Sequence, residues 1–342
     1  MFKLARQWRD LRLGIPVHSE CSDCRAGIAA RSGYWCYLLH LRDHTYPGVM
    51  SQTDHRAEVR EFLSSRRARL TPEQAGLPAY GGNRRVKGLR REEVALLAGV
   101  SIDYYVRMER GNLSGASESV LDALARALQL DEAEREHLFA LARNADAPAR
   151  PRRTPPTAVR PAVQQVLDAI SDAPAWVRNG RHDIVAMNRL GRALYSPVLA
   201  DPRRPANTTR FLYLDPAAQE FFVDWDRIAN DAAAMLRLEA GRNPHDRALI
   251  ELVGELSTRS ELFRERWASH DVQYHRSGRK RLNHPVVGQL DLNFESMELP
   301  SEPGLTLNVY TAAADTPTSD GLKMLATWAA TQDLAEAAEP PL

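Results

Sequence analysis

Apolar positions follow a helical period as far as about residue 145, and a largely alternating one in parts of the remaining chain. The stretch DHRAEVREFLSSRRARL places Val59, Phe62 and Leu63 on one face of a helix. We therefore predict an all-α domain over residues 51–145. A second helical stripe, at residues 117–142, adds Val120, Leu121, Leu124, Leu128, Leu138 and Leu141 to its predicted core.

One stretch of this domain, LRREEVALLAGVSIDYYVRMERG, keeps helical spacing but is interrupted by Gly99. The pattern predicts a helix over Arg91–Ala98 that ends at Gly99, because a left-handed C-terminal position favours glycine. Ser101 is suited to cap the next helix, and Tyr105 and Met108 then return to the core. This is a helix-turn-helix, whose second helix can lie in the major groove of DNA.

Basic residues are concentrated around this motif, although the net charge of the 342-residue chain is only +1. Seven basic and four acidic residues lie between residues 84 and 110, which gives this segment a local charge of +3. Local positive charge is what contact with phosphates requires. The alternative is a pair of solvated helices in an ordinary bundle, with the arginines as surface charge.

The second half of the chain begins after a change in composition. Residues 146–161 contain five prolines and four arginines, which predicts a linker. The stretch PAWVRNGRHDIVAMN then predicts two strands joined by a type I′ turn at Asn179-Gly180. Helical patterns follow near residues 217–240, 244–257 and 259–268.

The stretch HDVQYHRSGRKRLNHPVVGQLDLNFESMEL alternates apolar and polar residues and predicts strands, with turns at Ser277-Gly278 and near Pro285. Another strand is predicted at residues 305–312, and a last helix near residues 319–330 is followed by a flexible tail at residues 331–342. Residues 162–330 are therefore predicted to form an α+β domain with a mixed or antiparallel sheet of about five strands.

Residues 1–50 differ from the rest and contain all three cysteines. One interpretation is an over-extended upstream translation, with the natural start at Met50. The other is a small zinc site, because Cys21, Cys24, Cys36 and His40 have roughly the spacing of Cys₃His ligands.

Several classes of protein are excluded as expectations. Three cysteines do not imply a disulfide framework, no secretory signal is recognised, and no run of 18 apolar residues predicts a membrane span. A cytoplasmic protein is expected. Nucleophile-elbow, P-loop, zinc-protease and dinucleotide-binding motifs are absent from the sequence, so we do not predict an enzyme. His270, His275 and His284 are spaced too loosely to predict a metal site.

The sequence also resembles a known family. GLRREEVALLAGVSIDYYVRMERG and SESVLDALARALQLDEAEREHLFALA resemble the Xre/Cro/lambda-repressor-type regulators, in particular the MmyB-like branch. AWVRNGRHDIVAMNRLGRALY and WASHDVQYHRSGRKRLNHPVVGQLDL resemble the MmyB-like ligand-binding domain, whose fold is PAS-like. The resemblance covers residues 56–330. It implies a lambda-repressor-like all-α domain followed by an α+β PAS-like domain. The implied function is regulation of transcription by a fatty-acid-like or other amphiphilic ligand, without a required cofactor.

Helix geometry assigns the DNA-binding candidates. Ile102, Asp103 and Tyr104 face away from the core at the start of the second helix, where Asp103 can accept from a cytosine amine and Ile102 can pack on a thymine methyl. Glu109 is expected to pair with arginines of the motif. The complete set of DNA-binding candidates is Arg84, Arg85, Lys87, Arg91, Ser101, Ile102, Asp103, Tyr104, Arg107 and Arg110.

Ligand-binding candidates come from the large apolar residues of the second domain. These residues are expected primarily to form its hydrophobic core, part of which can be hollow. Arg237 or the cluster Arg279-Lys280-Arg281 is the candidate anchor for a carboxylate. The complete ligand-binding set is Trp176, Phe211, Trp225, Leu236, Arg237 and Trp267. A homodimer on a palindromic operator is expected, since one recognition helix reads few base pairs. The alternative is a second domain that binds a partner protein or dimerises without a small ligand.

Overall fold

The computed structural model describes residues 52–78, 86–146, 158–203 and 205–338. Within these residues, the N-terminal domain consists of helices only, and the C-terminal domain combines helices with one sheet. This confirms the predicted fold class. The predicted zinc ligands and the alternative start at Met50 lie outside the described residues. The N-terminal helices are α1 (Gln52–Arg69), α2 (Arg91–Ala98), α3 (Ile102–Glu109), α4 (Glu118–Ala127) and α5 (Glu132–Asp146).

The N-terminal core forms where the apolar stripes of these helices meet. Val59, Phe62 and Leu63 of α1 are fully buried, as the helical period predicts. Tyr105 and Met108 of α3 are fully buried as well. Of the stripe at residues 117–142, five members are buried and Val120 is partly buried against them. The core therefore holds α3 by one face and leaves its other face toward solvent.

The C-terminal domain is built on a five-stranded sheet in the order β2-β1-β5-β4-β3, in which every neighbouring pair is antiparallel. The strands are β1 (Ala175–Asn179), β2 (Ile184–Met187), β3 (Ser277–His284), β4 (Gly288–Glu298) and β5 (Leu305–Thr311). The helices are α6 (Pro161–Ala169), α7 (Arg189–Leu194), α8 (Ser196–Leu199), α9 (Thr208–Leu214), α10 (Ala217–Phe221), α11 (Trp225–Arg242), α12 (Arg247–Arg259), α13 (Glu261–Ala268) and α14 (Pro317–Ala338).

The two faces of the sheet are covered differently, because successive side chains of a strand point to opposite faces. On one face, Trp176, Leu282 and Phe294 belong to the main core, with helices α7 to α11 and α14 packed over it. On the other face, Val177 and Leu307 pack against Leu167 of α6.

The β1–β2 hairpin forms as predicted, but its turn is not the predicted type I′ turn. The loop is longer, and the residue with positive φ is His182, at 66°, rather than Asn179 or Gly180. The Asn179 side chain is buried and accepts from the backbone N–H groups of Arg181 and Asp183 at 3.0 Å each. Gly180 is needed for lack of space rather than for its φ angle, because a Cβ there would lie 2.2 Å from the carboxyl carbon of Glu239.

Two further local predictions are wrong. Ser277 and Gly278 are not a turn but begin β3, where Gly278 pairs with Phe294. The close phenyl ring explains the glycine, since a Cβ would lie 3.1 Å from it. The last helix does not end near residue 330 but continues to Ala338, because the segment TQDLAEAA contains no glycine or proline to stop it.

The two domains pack into one compact unit. Helices α1 and α5 of the N-terminal domain lie against α11 and against residues 270–276. Leu238 of α11 and Val272 are buried members of the N-terminal core. Gly241 allows α11 to lie close to α5, because a Cβ at this position would lie 2.4 Å from the ring of His137.

Candidate functional sites

The α2–α3 pair has the geometry of a helix-turn-helix. Gly99 ends α2 in the left-handed region, with φ of 65°, as predicted. The N–H of Val100 donates to the carbonyl of Ala95 at 3.0 Å and closes the helix end. The hydroxyl of Ser101 accepts from the N–H of Tyr104 at 3.2 Å and caps α3. These local bonds fix the angle at which α3 leaves the turn.

The outer face of α3 is exposed along its first turns. Ile102 is 52% exposed, an unusual position for a large aliphatic side chain, and Asp103 and Arg107 are exposed beside it. Tyr104 is partly buried and packs against the N-terminal core. The guanidinium of Arg107 lies over its ring, 5.2 Å from the centroid. The geometry presents an apolar, an acidic and an aromatic group side by side.

Glu109 holds the motif together, as predicted. Its side chain is 1% exposed and its carboxylate accepts from Arg67 of α1 at 2.7 Å. The other oxygen accepts from Arg91 at the start of α2. The carboxylate raises the pKa of Arg91 by this hydrogen bond and by its charge. Arg91 is therefore bound to the motif, although its side chain is about half exposed.

The remaining basic candidates differ in their surroundings. Lys87 and Arg110 are exposed next to the motif. Arg107 is exposed too, but one guanidinium nitrogen donates to the carbonyl of Ser114 at 3.2 Å. Arg84 and Arg85 lie outside the described residues.

The C-terminal domain contains a cavity of about 40 Å³ between α11 and the inner face of the sheet. It is large enough for a few water molecules. Trp176 lies on its wall, and so does Lys280, the middle member of the predicted basic cluster. Residues of α11 form the opposite wall: Ile228, Asp231, Ala232 and Met235.

The cavity is lined by both apolar and basic groups. Burial, together with the positive charges of Arg178 and Lys280, holds the pKa of His182 well below its usual range. His182 is therefore neutral, and its Nδ1 lies 2.6 Å from the hydroxyl of Thr209. Burial also raises the pKa of Tyr195, whose hydroxyl lies 2.6 Å from that of Tyr310. The wall of the cavity therefore combines neutral polar groups with the basic side chains of Arg178 and Lys280 and with the carboxylate of Asp231.

Only one of the six predicted ligand residues lines this cavity, namely Trp176. Phe211 and Trp225 belong to the surrounding core, where Trp225 donates to the carbonyl of Leu212 at 2.9 Å. Leu236 and Trp267 belong to a separate cluster with α12 and α13. Arg237 points away from the cavity, because it lies two positions after Met235 and residues two positions apart occupy nearly opposite faces of a helix.

Arg237 instead belongs to what we name the domain-interface cluster: Glu58, His137, Arg237 and His270. Arg237 is 2% exposed, lies 2.5 Å from the carboxylate of Glu58, and stacks on Trp267 at 4.1 Å. Burial alone would raise the pKa of Glu58, but the nearby rings of His137 and His270, together with the charge and the hydrogen bond of Arg237, outweigh it and hold that pKa well below its usual range.

Further ion pairs join the domains around this cluster. Arg276 pairs with Glu132 at 2.7 Å, and Arg242 pairs with Glu136 at 2.8 Å. Arg69 pairs with Asp271. Asn144 donates to the carbonyl of Gly241 at 2.7 Å. The contacts on the C-terminal side come from α11 and the segment that precedes β3.

Sequence reasoning missed Arg178, His182 and Glu58. A signal existed for Arg178, because the period of a strand places it on the same face as Trp176. His182 carried no such signal, since its place at the cavity depends on the unpredicted length of the hairpin loop. Glu58 carried none either, because its partner Arg237 lies 179 positions away in the sequence.

The buried histidines predict a pH-dependent stability. His137 and His182 are at most 2% exposed, and burial lowers the pKa of both. Both are neutral when folded but take protons below about pH 6.5 when unfolded. Stability is therefore full above that pH and is lost as pH falls toward the lowered folded pKa values, by up to about 1.4 kcal/mol per pH unit for each histidine.

Urea denaturation at pH 7.5 and 5.5 measures this loss. His182→Asn is expected to remove the contribution of one histidine from the pH dependence of the free energy of unfolding. Asparagine tolerates the positive φ of this position. An unchanged pH dependence in His182→Asn would contradict the assignment of His182 as a buried neutral group.

The described residues contain no group of three or more His, Cys, Asp or Glu side chains that could hold a metal ion. His275 stacks on Phe294, with ring centroids 4.2 Å apart, and His284 contacts the carbonyl of Ala193 at 3.0 Å. In the same part of the chain, no helix is long and apolar enough to cross a membrane.

Comparison with known families matches both halves of the chain. Residues 159–325 match the family described as the MmyB-like transcription regulator ligand binding domain. Residues 58–138 match a helix-turn-helix domain family. These are families of transcription regulators and not of enzymes. No curated protein matches the sequence significantly.

Proposed function

We propose that this chain is a transcription regulator of the MmyB-like type, in which a helix-turn-helix domain binds DNA and a C-terminal ligand-binding domain controls that binding. Helix α3 enters the major groove of an operator. The cavity beside α11 takes a small amphiphilic, fatty-acid-like ligand. Its binding shifts α11 and so changes how α3 is presented to DNA.

The exposed face of α3 supports the first half of this proposal. Ile102 and Asp103 reach base edges, where an aliphatic group can contact a thymine methyl and a carboxylate can accept from a cytosine amine. Lys87, Arg107 and Arg110 are exposed around them and contact phosphates. Arg91 contributes positive charge while it remains bound to Glu109.

We infer a homodimer on a palindromic operator from the small size of the recognition helix. Helix α3 has eight residues, and one such helix reads only a few base pairs. Two copies related by a twofold axis read two half-sites about one helical turn of DNA apart. A ligand that changes the spacing between the two copies of α3 changes operator affinity without touching DNA.

The position of helix α11 supports a coupling between the cavity and the helix-turn-helix domain. Its residues Ile228, Asp231 and Met235 line the cavity, and its last turns contact the helix-turn-helix domain through Arg237 and Leu238. A rigid helix therefore connects the two sites directly. A ligand shifts the equilibrium between two arrangements only by its difference in affinity for them.

Footprinting of DNA upstream of the gene tests this function. Residues 50–342 are incubated with the DNA at two salt concentrations, with and without saturated fatty acids. We expect a protected palindrome whose protection changes with fatty acid. Protection that no fatty acid changes would retain the DNA function and favour a C-terminal domain that binds a partner protein. Weak binding to all sequences that disappears with salt would contradict the operator function.

Arg107→Ala is expected to weaken binding to every DNA sequence and to flatten the salt dependence by about one unit, because one phosphate contact is lost. Fluorescence anisotropy at several salt concentrations measures both quantities. The matched control is Arg247→Ala, which removes an exposed arginine from α12 in the other domain. Equal affinities and slopes for the two variants would remove Arg107 from the interface.

A further inference from the structure

We propose that the domain-interface cluster is a pH-sensitive latch, in which neutral His137 and His270 hold the helix-turn-helix domain against α11 and their protonation releases it. This inference goes beyond the proposed function, because the signal is acid and not a ligand. The two histidines come from different domains, His137 from α5 and His270 from the segment between α13 and β3. The cluster therefore lies on the surface along which the two domains would separate.

The ring of His270 accepts a hydrogen bond in the docked arrangement. Its Nδ1 lies 3.1 Å from a guanidinium nitrogen of Arg237, which can only donate, so the bond forms only while Nδ1 carries no proton. A proton there would place two cations at this distance in a buried site, where like charges repel more strongly than in water. The carboxylate of Glu58 lies 3.5 Å from the same nitrogen, but it is closer to Arg237, at 2.5 Å. Protonation of His270 therefore opposes docking.

The ring of His137 is completely buried between α1 and α11. It packs edge-on against Phe62 of α1, with ring centroids 4.9 Å apart, and lies against the backbone of Gly241 of α11. Neither ring nitrogen has a hydrogen-bond partner within the described residues, and Nε2 is 3.6 Å from the carboxylate of Glu58. Burial lowers the pKa of His137, although the nearby carboxylate opposes this effect. Separation from Gly241 would open one side of the ring to water, where the charged form is stable.

The charges around the two rings are already balanced. The charged and titratable groups come from every element that packs against the cluster: His55, Glu58, Arg66 and Arg69 of α1, Glu134 of α5, Arg237 of α11, and Asp271. Glu58 pairs with Arg237, and Glu134 pairs with Arg66 at 2.7 Å. Asp271 pairs with Arg69, and burial lowers the pKa of His55. A proton on either ring therefore adds a charge for which each of these carboxylates already has another partner.

Acid is the condition that releases the latch. Because His137 has a lowered pKa in the docked state, the separated domains bind its proton more readily than the docked ones. Docking is therefore fully stable above about pH 6.5, the ordinary pKa of histidine, and weakens as the pH falls below it. The docking equilibrium constant should fall by up to about tenfold per pH unit for each proton taken up. Glu58 remains charged in this range, because its pKa lies well below its usual value.

The backbone at His270 is suited to a joint between the domains. Its φ of 55° lies in the left-handed region, which residues other than glycine seldom adopt unless surrounding contacts hold them. One such contact is made by the carbonyl of His270, which accepts from Arg66 of α1 at 2.7 Å. Each domain also has a buried core of its own, and among the described residues the C-terminal domain adds Leu238 and Val272 to the N-terminal one. The domains can therefore separate while both remain folded.

Two substitutions remove the titrating groups and keep polar side chains of similar size. Asparagine tolerates a positive φ, and its side-chain oxygen can accept from Arg237 as Nδ1 of the histidine does, so His270→Asn should still dock. His137→Gln replaces the buried ring by an amide that takes no proton in this pH range. His284→Gln is the matched control, because His284 is a buried histidine of the C-terminal domain that contacts Ala193, and burial lowers its pKa as well.

Small-angle X-ray scattering of the full chain between pH 7.5 and 4.5, with circular dichroism at the same pH values, tests the latch. We expect the radius of gyration to increase below about pH 6.5 at constant mass, while the helical signal is retained. The double variant His137→Gln/His270→Asn should keep its radius at every pH, and His284→Gln should behave like the native chain. No DNA or ligand is present, so a negative result removes the latch and leaves the proposed function.

Three results would overturn the inference. The first is a radius of the native chain that does not change with pH. The second is expansion of the double variant at the same pH as the native chain. The third is expansion together with loss of the helical signal, which would mean global unfolding rather than release of one domain. If the double variant is already expanded at pH 7.5, His270→Asn by itself decides, since its midpoint should move to lower pH and an unmoved midpoint would contradict the latch.

Discussion

Arg237→Met is expected to lower the free energy of unfolding by about 3–5 kcal/mol, because it leaves the carboxylate of Glu58 buried without its cation. Arg237 is almost fully buried between the domains, where it also donates to the carbonyl of Trp267 and stacks on its ring. All of these contacts are lost at once. We also expect operator binding to become insensitive to the ligand, because α11 loses its strongest polar contact with α1.

Chemical denaturation and the operator assay measure these two effects. Arg242→Met is the matched control, since Arg242 also lies on α11 and pairs across the interface, with Glu136. That pair is about one third exposed on both sides, so its loss should cost at most about 1 kcal/mol. Similar losses for the two variants would contradict the special role of Arg237.

A double-mutant cycle with Glu58→Gln separates the ion pair from general packing. If Glu58 and Arg237 interact directly, the double variant should be more stable than the sum of the two single losses predicts. Additive losses would mean that Arg237 acts mainly through Trp267.

Glu109→Ala is expected to cost about 3–5 kcal/mol and to abolish operator binding, because one buried carboxylate joins α1, α2 and α3. Without it, the largely buried Arg67 loses its carboxylate, although it still donates to the carbonyl of Leu89 at 2.9 Å. The start of α2 and the end of α3 lose their common anchor. Since DNA contact depends on the orientation of α3, affinity should fall with stability.

Urea denaturation followed by circular dichroism, together with fluorescence anisotropy on the operator, measures both effects. Glu92→Ala is the control, because Glu92 is exposed in the same motif and pairs loosely with Arg90 at 3.4 Å. Its loss should change stability by less than about 1 kcal/mol. Glu109→Gln keeps the shape but not the charge and should lie between the two. A Glu109→Ala variant as stable as Glu92→Ala would show that the buried carboxylate is not structural.

Helix α11 has the cavity on one side and the domain interface on the other. Lys280 and Arg178 place positive charge on one side of α11, and Arg237 places another buried cation on the other side. The Arg237 charge is matched by Glu58, whereas the charges at the cavity share its wall with the carboxylate of Asp231. Ligand binding would therefore change the electrostatics of one face of α11 while the other face stays fixed to the DNA-binding domain.

The helix-turn-helix was fully predictable from its own residues. The positive φ of Gly99 and the cap by Ser101 follow from contacts within a few positions of the chain, and the inward side of Tyr105 and Met108 follows from the helical period. Such local interactions have the same partners in any fold, so periodicity and capping preferences identify them. The structural pairing of Glu109 was predictable for the same reason, since its arginine partner on α2 belongs to the same motif.

The ligand cavity and the domain interface were decided by tertiary structure. The sequence presents Arg279, Lys280 and Arg281 as one basic cluster, and only the register of β3 turns Lys280 inward and the two arginines outward. Arg237 finds Glu58 across 179 positions of sequence, which no local pattern records. The sequence by itself determined that this protein contains a helix-turn-helix. Only the packing of α11 between the sheet and α1 decided which buried charges are neutralised within the protein and which face the cavity, because the partners of a buried charge are set by the fold and not by its neighbours in the chain.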